Sequence, residues 1–117
     1  MTEQGDRLKK AIARIDAANA KDPRREEYKG QDYPKELLYS QRMTQWLERL
    51  EPDASEALRL AVRAQHIRRW EIPRETYPEG RAEYKRWRQR LMEFHAEIAG
   101  DILRGAGYDR ETTERVQ

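Results

Sequence analysis

Three stretches of this sequence place polar side chains where an apolar helix face would otherwise continue. These residues are Glu36, Tyr39, Gln65, His66, His95 and Glu97. An unpaired buried polar group costs about 1–3 kcal/mol, so their recurrence on three predicted helices indicates a site. Imidazole and carboxylate are ligands of Mn, Fe or Zn, and Glu36, His66 and His95 are the candidate ligands of a divalent metal. The alternative is that each histidine is hydrogen-bonded inside a helical bundle and serves only the fold.

The spacing of His95 and Glu97 limits this hypothesis. Side chains two positions apart on a helix project about 200° apart, so these two cannot hold one ion from regular geometry. His95 fits the apolar stripe better. Glu97 is interpreted as a cap, as the partner of an arginine or as a residue that acts from a helix start.

Arginine and aromatic residues are concentrated around the two histidines. Between Arg59 and Arg90 the chain has ten lysines and arginines against four glutamates, a local net charge of +6, whereas the whole chain carries +2. Arginine binds carboxylate and phosphate through two hydrogen bonds, which favours an anion-binding surface. Equally, arginines would pack on Trp70 and Trp87 in a solvated face. Aromatic rings interleaved with arginines also suit a single-stranded nucleic acid.

Length and composition allow one domain with one core in 117 residues. Charged residues make up 39% and the mean hydropathy is -1.20, so disorder is considered, but aromatic residues and helical apolar spacing favour a folded chain. The absence of cysteine excludes disulfides and thiolate chemistry. Without a run of about 18 apolar residues or a signal segment, we expect a soluble cytoplasmic protein with no membrane partner.

The first half of the chain contains two predicted helices. One runs from about Thr2 to Ala20 and ends at Asp22-Pro23, because proline cannot continue the hydrogen-bond ladder. The other runs from Pro34 to about Leu50. Its predicted inward stripe consists of Glu36, Tyr39, Met43, Trp46, Leu47 and Leu50. Residues 24–33 are a polar connection without periodicity, and no strand alternation or hairpin turn pair is recognised in the chain.

The second half contains two more predicted helices and the start of another. The third helix begins at Asp53 with Glu56 in a capping-box position and ends at Ile72-Pro73. Its inward stripe consists of Leu58, Ala61, Val62, Gln65, His66 and Arg69. A fourth runs from about Arg81 to Gly105. Its stripe consists of Tyr84, Trp87, Arg88, Leu91, Phe94, His95, Ile98 and Ile102. Asp109 is the predicted N-cap of a last helix that the chain end cuts short.

These elements predict an all-α fold in a single domain, residues 1–117. The short last helix suggests a partial domain. Its uncovered apolar stripes would favour a homodimer.

Several motifs carry a family resemblance. They are Glu36-Leu37-Leu38-Tyr39-Ser40-Gln41-Arg42-Met43, Gln65-His66-Ile67-Arg68-Arg69-Trp70, Pro73-Arg74, Tyr77-Pro78, Tyr84, Trp87-Arg88, Phe94-His95-Ala96-Glu97 and Gly107-Tyr108-Asp109. They resemble the family called domain of unknown function 4202, over nearly the whole chain from Leu8. The family name implies no activity, and its members usually continue with further helices.

The layout is also distantly similar to the HD-domain phosphohydrolases, helical enzymes whose metal ligands are a His, a His-Asp pair and a distant Asp. Gln65-His66 stands where that pattern has His-Asp, and Glu36 or Tyr39 lies near the position of the first His. The distant Asp has no counterpart. The resemblance implies an HD-like helical bundle that lacks its C-terminal helices.

The leading functional hypothesis is a divergent metal-dependent hydrolase that acts on a small phosphorylated substrate or nucleotide, with a metal-bound water as nucleophile. Glu36, His66 and His95 would hold the metal. The predicted substrate-binding residues are Tyr39, Arg42, Gln65, Arg69, Arg74, Arg88 and Glu97. The rival hypothesis is a non-catalytic module whose arginine and aromatic face binds nucleic acid or an acidic protein. A third is that the inward polar groups serve only the fold.

Overall fold

The computed structural model describes residues 3–117 of the chain, with side chains from residue 5 onward. Within this range the protein is mainly helical, as predicted, and it also contains a small antiparallel sheet. The elements are α1 (Glu3–Asn19), β1 (Arg25–Tyr28), β2 (Gln31–Pro34), α2 (Lys35–Leu50), α3 (Glu56–Arg63), α4 (Arg81–Ala106) and α5 (Arg110–Val116). Short 3-10 turns at Arg69–Glu71 and Arg74–Thr76 lie between α3 and α4.

The core lies where α1, α3 and α4 meet, and it consists of small and branched apolar side chains with one tyrosine. Its buried residues are Ala11, Ile15, Leu60, Ala64, Ile67, Ala99, Leu103, Ala106 and Tyr108. Removal of this apolar surface from water stabilises the fold by roughly 25 cal/mol per Å². The short helix α5 packs on α3 and α4, with Thr113 buried.

Local signals in the sequence set most helix ends correctly. The first helix ends at Asn19, one residue before its predicted end, while its predicted start at Thr2 lies outside the described residues. Pro34 directly precedes α2. The fourth helix ends at Ala106, one residue past its predicted end, and is followed by Gly107, whose φ of 99° is left-handed. Asp109 caps α5 by accepting a backbone amide hydrogen bond at 2.7 Å.

The prediction that residues 24–33 form an irregular connection, and that the chain has no hairpin, is wrong. The strands β1 and β2 pair antiparallel, with Tyr28 opposite Gln31 next to the turn. Lys29 and Gly30 have φ values of 51° and 79°, the left-handed pair that suits the twist of a two-residue hairpin loop. Lysine is not a usual signal for this turn. The strands are polar and largely exposed, so no alternation marks them.

The third helix differs from its prediction at both ends and in its buried face. It begins after Ser55, whose hydroxyl oxygen accepts a hydrogen bond from a backbone amide at 3.1 Å, so Asp53 is not its cap. It ends at Arg63, and the left-handed φ of 55° at Arg68 redirects the chain before Ile72. Leu58, Ala61 and Val62 are exposed or half-buried. The buried residues are instead Ala57, Leu60 and Ala64, because α1 and α5 both pack against α3.

Further residues predicted in buried stripes are exposed. Trp46 is 52% exposed, Leu50 72% and Tyr84 45%, since the ends of α2 and α4 extend beyond the core. Arg88 is exposed as well, whereas Leu91 is buried. Dimer formation through uncovered apolar helix stripes stays a prediction. Despite the exposed apolar side chains, no helix within residues 3–117 is long and apolar enough to cross a membrane.

Candidate functional site

A buried carboxylate joins the loop before the hairpin to the first turn of α2. The Asp22 side chain is fully buried and accepts a hydrogen bond from the backbone amide of Glu36 at 2.9 Å. It also accepts one from the Arg24 amide at 2.9 Å and two from the Arg24 guanidinium at 3.0 Å. Burial raises the pKa of Asp22, but these hydrogen bonds outweigh it and hold the pKa below its usual value. Asp22 thus fixes both the start of α2 and the orientation of Arg24.

Arg24 connects this carboxylate to Glu36. Its Nη2 atom lies 3.0 Å from Asp22 Oδ2 and 2.9 Å from Glu36 Oε2. Glu36 is buried, as its place on the inward stripe of α2 predicted. The guanidinium therefore neutralises two carboxylates that would otherwise be costly to bury.

The second oxygen of Glu36 faces His66. Glu36 Oε1 lies 3.4 Å from His66 Nδ1. The ring of Tyr39 stacks on the imidazole, with centroids 4.7 Å apart and planes 11° apart. Glu36 and Tyr39 share a face because they are three positions apart on α2, while His66 comes from the turn after α3. The structure thus brings together three of the residues predicted from separate segments.

His95 lies near His66 but opens onto another surface. Their ring centroids are 6.1 Å apart, and His95 Nδ1 lies 2.8 Å from the carbonyl oxygen of Ile67. Burial lowers the pKa of His95, and the neighbouring His66 acts in the same direction, against the hydrogen bond to Ile67. His95 lines a pocket together with Gln65, and Glu36 and His66 do not line that pocket.

Two of the predicted metal ligands, Glu36 and His95, each have one side-chain atom engaged by another group. Arg24 holds one oxygen of Glu36, and the Ile67 carbonyl holds Nδ1 of His95. Among the side chains of residues 5–117, no group of three or more His, Cys, Asp or Glu is placed to hold a metal. An ion bound to both oxygens of Glu36 would displace the Arg24 guanidinium, and the metal centre stays a prediction.

Glu36 and His66 lie on the wall of a pocket, here called the Glu36 pocket, with a volume of about 430 Å³. Its other lining residues are the cations Arg24, Lys35, Arg42 and Arg69, the apolar and aromatic Leu38, Tyr39, Met43 and Trp46, and the carboxylate Glu26. The volume and the mixed lining are those of small-molecule sites. Arg24 is already paired with Asp22 and Glu36, and the other three cationic side chains favour an anionic ligand.

Two of the four arginines predicted to bind substrate, Arg42 and Arg69, line the Glu36 pocket. The Arg42 guanidinium lies 4.9 Å from the ring centroid of Tyr28, and that of Arg69 lies 5.4 Å from the ring centroid of Trp87. These cation–π contacts restrict both guanidinium groups. Tyr39, also predicted, lines the same pocket through its stacked ring.

The other predicted substrate-binding residues lie elsewhere. Arg74 lines a neighbouring pocket, where its Nη1 donates to two backbone carbonyls at 2.9 Å. Gln65 lines the His95 pocket. Arg88 and Glu97 are exposed and line neither the Glu36 pocket nor that of Arg74. Glu97 lies 3.6 Å from Arg90, which is the arginine pairing considered for it above.

Sequence reasoning missed Asp22, Arg24 and Lys35 as site residues. Asp22 was interpreted with Pro23 as a helix stop, and the other two belonged to a polar connection and a helix start. The hydrogen bond from the amide of Glu36 to Asp22 joins residues 14 positions apart and requires the hairpin between them. No local pattern in the sequence signals such a contact.

The fold and the site define a mainly helical protein with a pocket that cationic side chains and a carboxylate–imidazole pair line. The sequence model of the family described as domain of unknown function (DUF4202) matches residues 9–117, and the chain belongs to this family. That part of the predicted resemblance is confirmed. No curated protein and no solved structure matches the chain. The likeness to HD-domain enzymes therefore remains a matter of proposal.

Proposed function

We propose that the chain binds a small phosphorylated molecule in the Glu36 pocket and hydrolyses it. The carrying observation is a buried carboxylate 3.4 Å from an imidazole nitrogen, on the wall of a pocket that four cationic side chains also line. Cationic donors stabilise the charge on phosphoryl oxygens. A carboxylate–imidazole pair accepts the proton of an attacking water. Both features favour phosphate hydrolysis.

In the proposed reaction His66 acts as the general base through Nε2, because Nδ1 faces Glu36. The water oxygen bonds to phosphorus, and the bond from phosphorus to the leaving oxygen breaks. The proton taken by His66 passes to that oxygen, so the products are a phosphate and a hydroxyl compound. Glu36 orients the imidazole, and Lys35 and Arg69 neutralise the phosphoryl oxygens.

The predicted divalent metal and the HD-like fold are separate parts of this proposal. Every step above uses only side chains of the chain, and the predicted metal would add to them. The mainly helical architecture and the meeting of Glu36 with His66 support the HD-like likeness. Metal dependence is decided by the assay below.

The alternative of an open nucleic-acid surface has less support. The arginines that would form it are Arg63, Arg68, Arg86 and Arg90, and each lies within ion-pair distance of a carboxylate. Arg63 is also mostly buried against Asp16. Affinity for a nucleic acid comes largely from unpaired cations that neutralise phosphates, and this set is already partly neutralised. The small pocket is therefore the better-supported anion site.

The test is the hydrolysis of para-nitrophenyl phosphate and of its bis-ester, with phosphate binding measured by calorimetry. Assays are run in chelator and with added Mn²⁺ or Zn²⁺. We expect Glu36→Gln and His66→Gln to lower kcat by about 100-fold, the typical contribution of a general base. Arg69→Lys should weaken phosphate binding, because the charge is kept while the two-pronged hydrogen bonding is lost.

The matched control is Arg88→Lys, since Arg88 is exposed and lies on neither the Glu36 pocket nor that of Arg74. It should leave turnover and phosphate binding unchanged. Wild-type protein that neither turns over these esters nor binds phosphate, with or without metal, would overturn the proposal. Full activity in both Glu36→Gln and His66→Gln would overturn the assigned roles.

A further inference from the structure

A second pocket borders the Glu36 pocket and is here called the tryptophan pocket. Its volume is also about 430 Å³. The residues that line it are Trp70, Ile72, Pro73, Arg74, Glu75 and Trp87, together with Arg24, Lys35 and Arg69. The last three line the Glu36 pocket as well. All three are cationic, and they form what is here called the shared cationic wall.

The shared cationic wall places positive charge between the Glu36 pocket and the tryptophan pocket. On one side lie Tyr39, Met43 and Trp46, and on the other lie Trp70 and Trp87. Aromatic and apolar side chains bind the faces of flat organic groups. A ligand with a terminal phosphate would fill one pocket and leave the other empty. A ligand with its phosphates in the middle would fill both pockets.

Two of the three charges on this wall, those of Lys35 and Arg69, are available to a ligand, and Arg69 is also held in position. Lys35 and Arg69 form no ion pair with the carboxylates of residues 5–117, in contrast to Arg24. Arg69 lies against the ring of Trp87, and Trp87 Nε1 donates to the Ile72 carbonyl at 2.8 Å. A cation held in place before binding loses less conformational entropy when the ligand arrives.

We propose that the ligand is a molecule in which a diphosphate joins two organic groups, at least one of them a nucleoside. The diphosphate would lie on Arg24, Lys35 and Arg69, with one flat group in each pocket. This inference rests on the proposed function and narrows its substrate class. Hydrolysis of the bridge consumes one water: its oxygen bonds to one phosphorus, and its proton goes to His66. The bridging oxygen leaves with the other phosphorus, so the leaving group is here a phosphate and not a hydroxyl compound. Two monophosphates result.

The probes are diadenosine diphosphate, ADP, AMP and inorganic phosphate, and their affinities for the full chain are measured by calorimetry. The wild-type protein should bind diadenosine diphosphate at least about tenfold more tightly than ADP or AMP, since one stacked base contributes roughly that factor or more. Trp46→Ala and Trp70→Ala should each weaken its binding by about tenfold for the same reason. At most one of them should weaken the binding of ADP.

The control variant is Met92→Ala, an exposed apolar residue on α4 that lines neither pocket. It should leave all four affinities unchanged, and circular dichroism verifies that each variant is folded. Equal affinities for AMP, ADP and diadenosine diphosphate would overturn the bridged ligand but leave a phosphate site intact. A Trp70→Ala variant with undiminished affinity for diadenosine diphosphate would also overturn it. Failure of the wild-type protein to bind any probe, inorganic phosphate included, would overturn the proposed function as well.

Discussion

Replacement of Asp22 by alanine tests whether the buried carboxylate holds the pocket wall together. The side chain is fully buried and accepts hydrogen bonds from two backbone amides, those of Arg24 and Glu36, both at 2.9 Å. It accepts two more from the Arg24 guanidinium at 3.0 Å. Alanine removes all four, leaving the Glu36 amide buried without its acceptor and Arg24 paired with Glu36 alone.

The expected loss in the free energy of unfolding is about 3 kcal/mol. A hydrogen bond contributes about 1 kcal/mol net, and a buried donor left unpaired costs about 1–3 kcal/mol. The unpaired amide of Glu36 is assigned a cost in the upper part of the about 1–3 kcal/mol range, because that residue is buried. The bonds to Arg24 are counted at the low end, because its side chain is 40% exposed and water solvates it in the variant. Such a loss is a large part of the about 5–15 kcal/mol typical of a domain.

Urea denaturation followed by far-ultraviolet circular dichroism measures this loss. The matched control is Asp32→Ala: Asp32 also accepts a hydrogen bond from an arginine, at 2.9 Å, but its side chain is 61% exposed. An exposed ion pair contributes about 1 kcal/mol or less, so the control should lose little. The two variants exchange the same residue types and differ in the burial of the carboxylate and in the number of hydrogen bonds that it accepts. Equal losses would refute the reasoning.

The wild-type protein and Asp22→Ala also provide a test by pH. The pKa of Asp22 is held below the unfolded value of 3.8, so its stabilising contribution is fully present above pH 3.8. As the pH falls through the lower folded pKa, that contribution is lost. The stability difference between the wild-type protein and Asp22→Ala should therefore shrink below pH 3.8. A difference that stays constant in this range would contradict the assigned ionised, hydrogen-bonded state.

The remaining predictions concern two other buried polar groups. Burial lowers the pKa of His95 below its unfolded value of 6.5, so the unfolded chain binds the proton first and stability should fall as the pH drops from 6.5 through the folded pKa. Urea titrations across this range should show that dependence reduced in His95→Gln, and an unchanged slope would sink the assignment. Tyr108→Phe should lower the free energy of unfolding by about 1–2 kcal/mol, because the buried hydroxyl donates to the Glu56 carboxylate. Thermal unfolding compares it with Tyr84→Phe, whose hydroxyl is on a residue 45% exposed, and equal effects would count against the bond to Glu56.

Helix ends could be predicted from the sequence because residues close to each end decide them. Pro23 and Pro34 limit the helices beside them through the fixed φ and the missing amide. Asp109 caps α5 with its own carboxylate, and Gly107 adopts the left-handed φ that ends α4. The third helix was predicted less well because Asp53 and Ser55 are both suitable caps. The helix begins after Ser55, and α1 and α5 pack against α3.

The candidate site was predictable only as far as one helix reaches. The inward position of Glu36 and Tyr39 follows from their three-residue spacing on α2. That His66 would lie near Glu36 was inferred from its polar character in an apolar stripe, although His66 lies in a turn and not in the predicted helix. Its stacking on Tyr39 was not predicted. Periodicity shows which residues share one face of a helix, and it carries no information on which helix faces pack together.

The sequence by itself determined a mainly helical chain, its family, and a set of polar residues directed inward from α2 and α4. Only the tertiary structure decided that Asp22 and Arg24 complete the pair of Glu36 and His66, and that His95 lines another pocket. The hairpin and the left-handed residue Arg68 set those positions. Both depend on left-handed backbone conformations at Lys29 and Arg68, which are uncommon for residues other than glycine and which no pattern in the sequence marks.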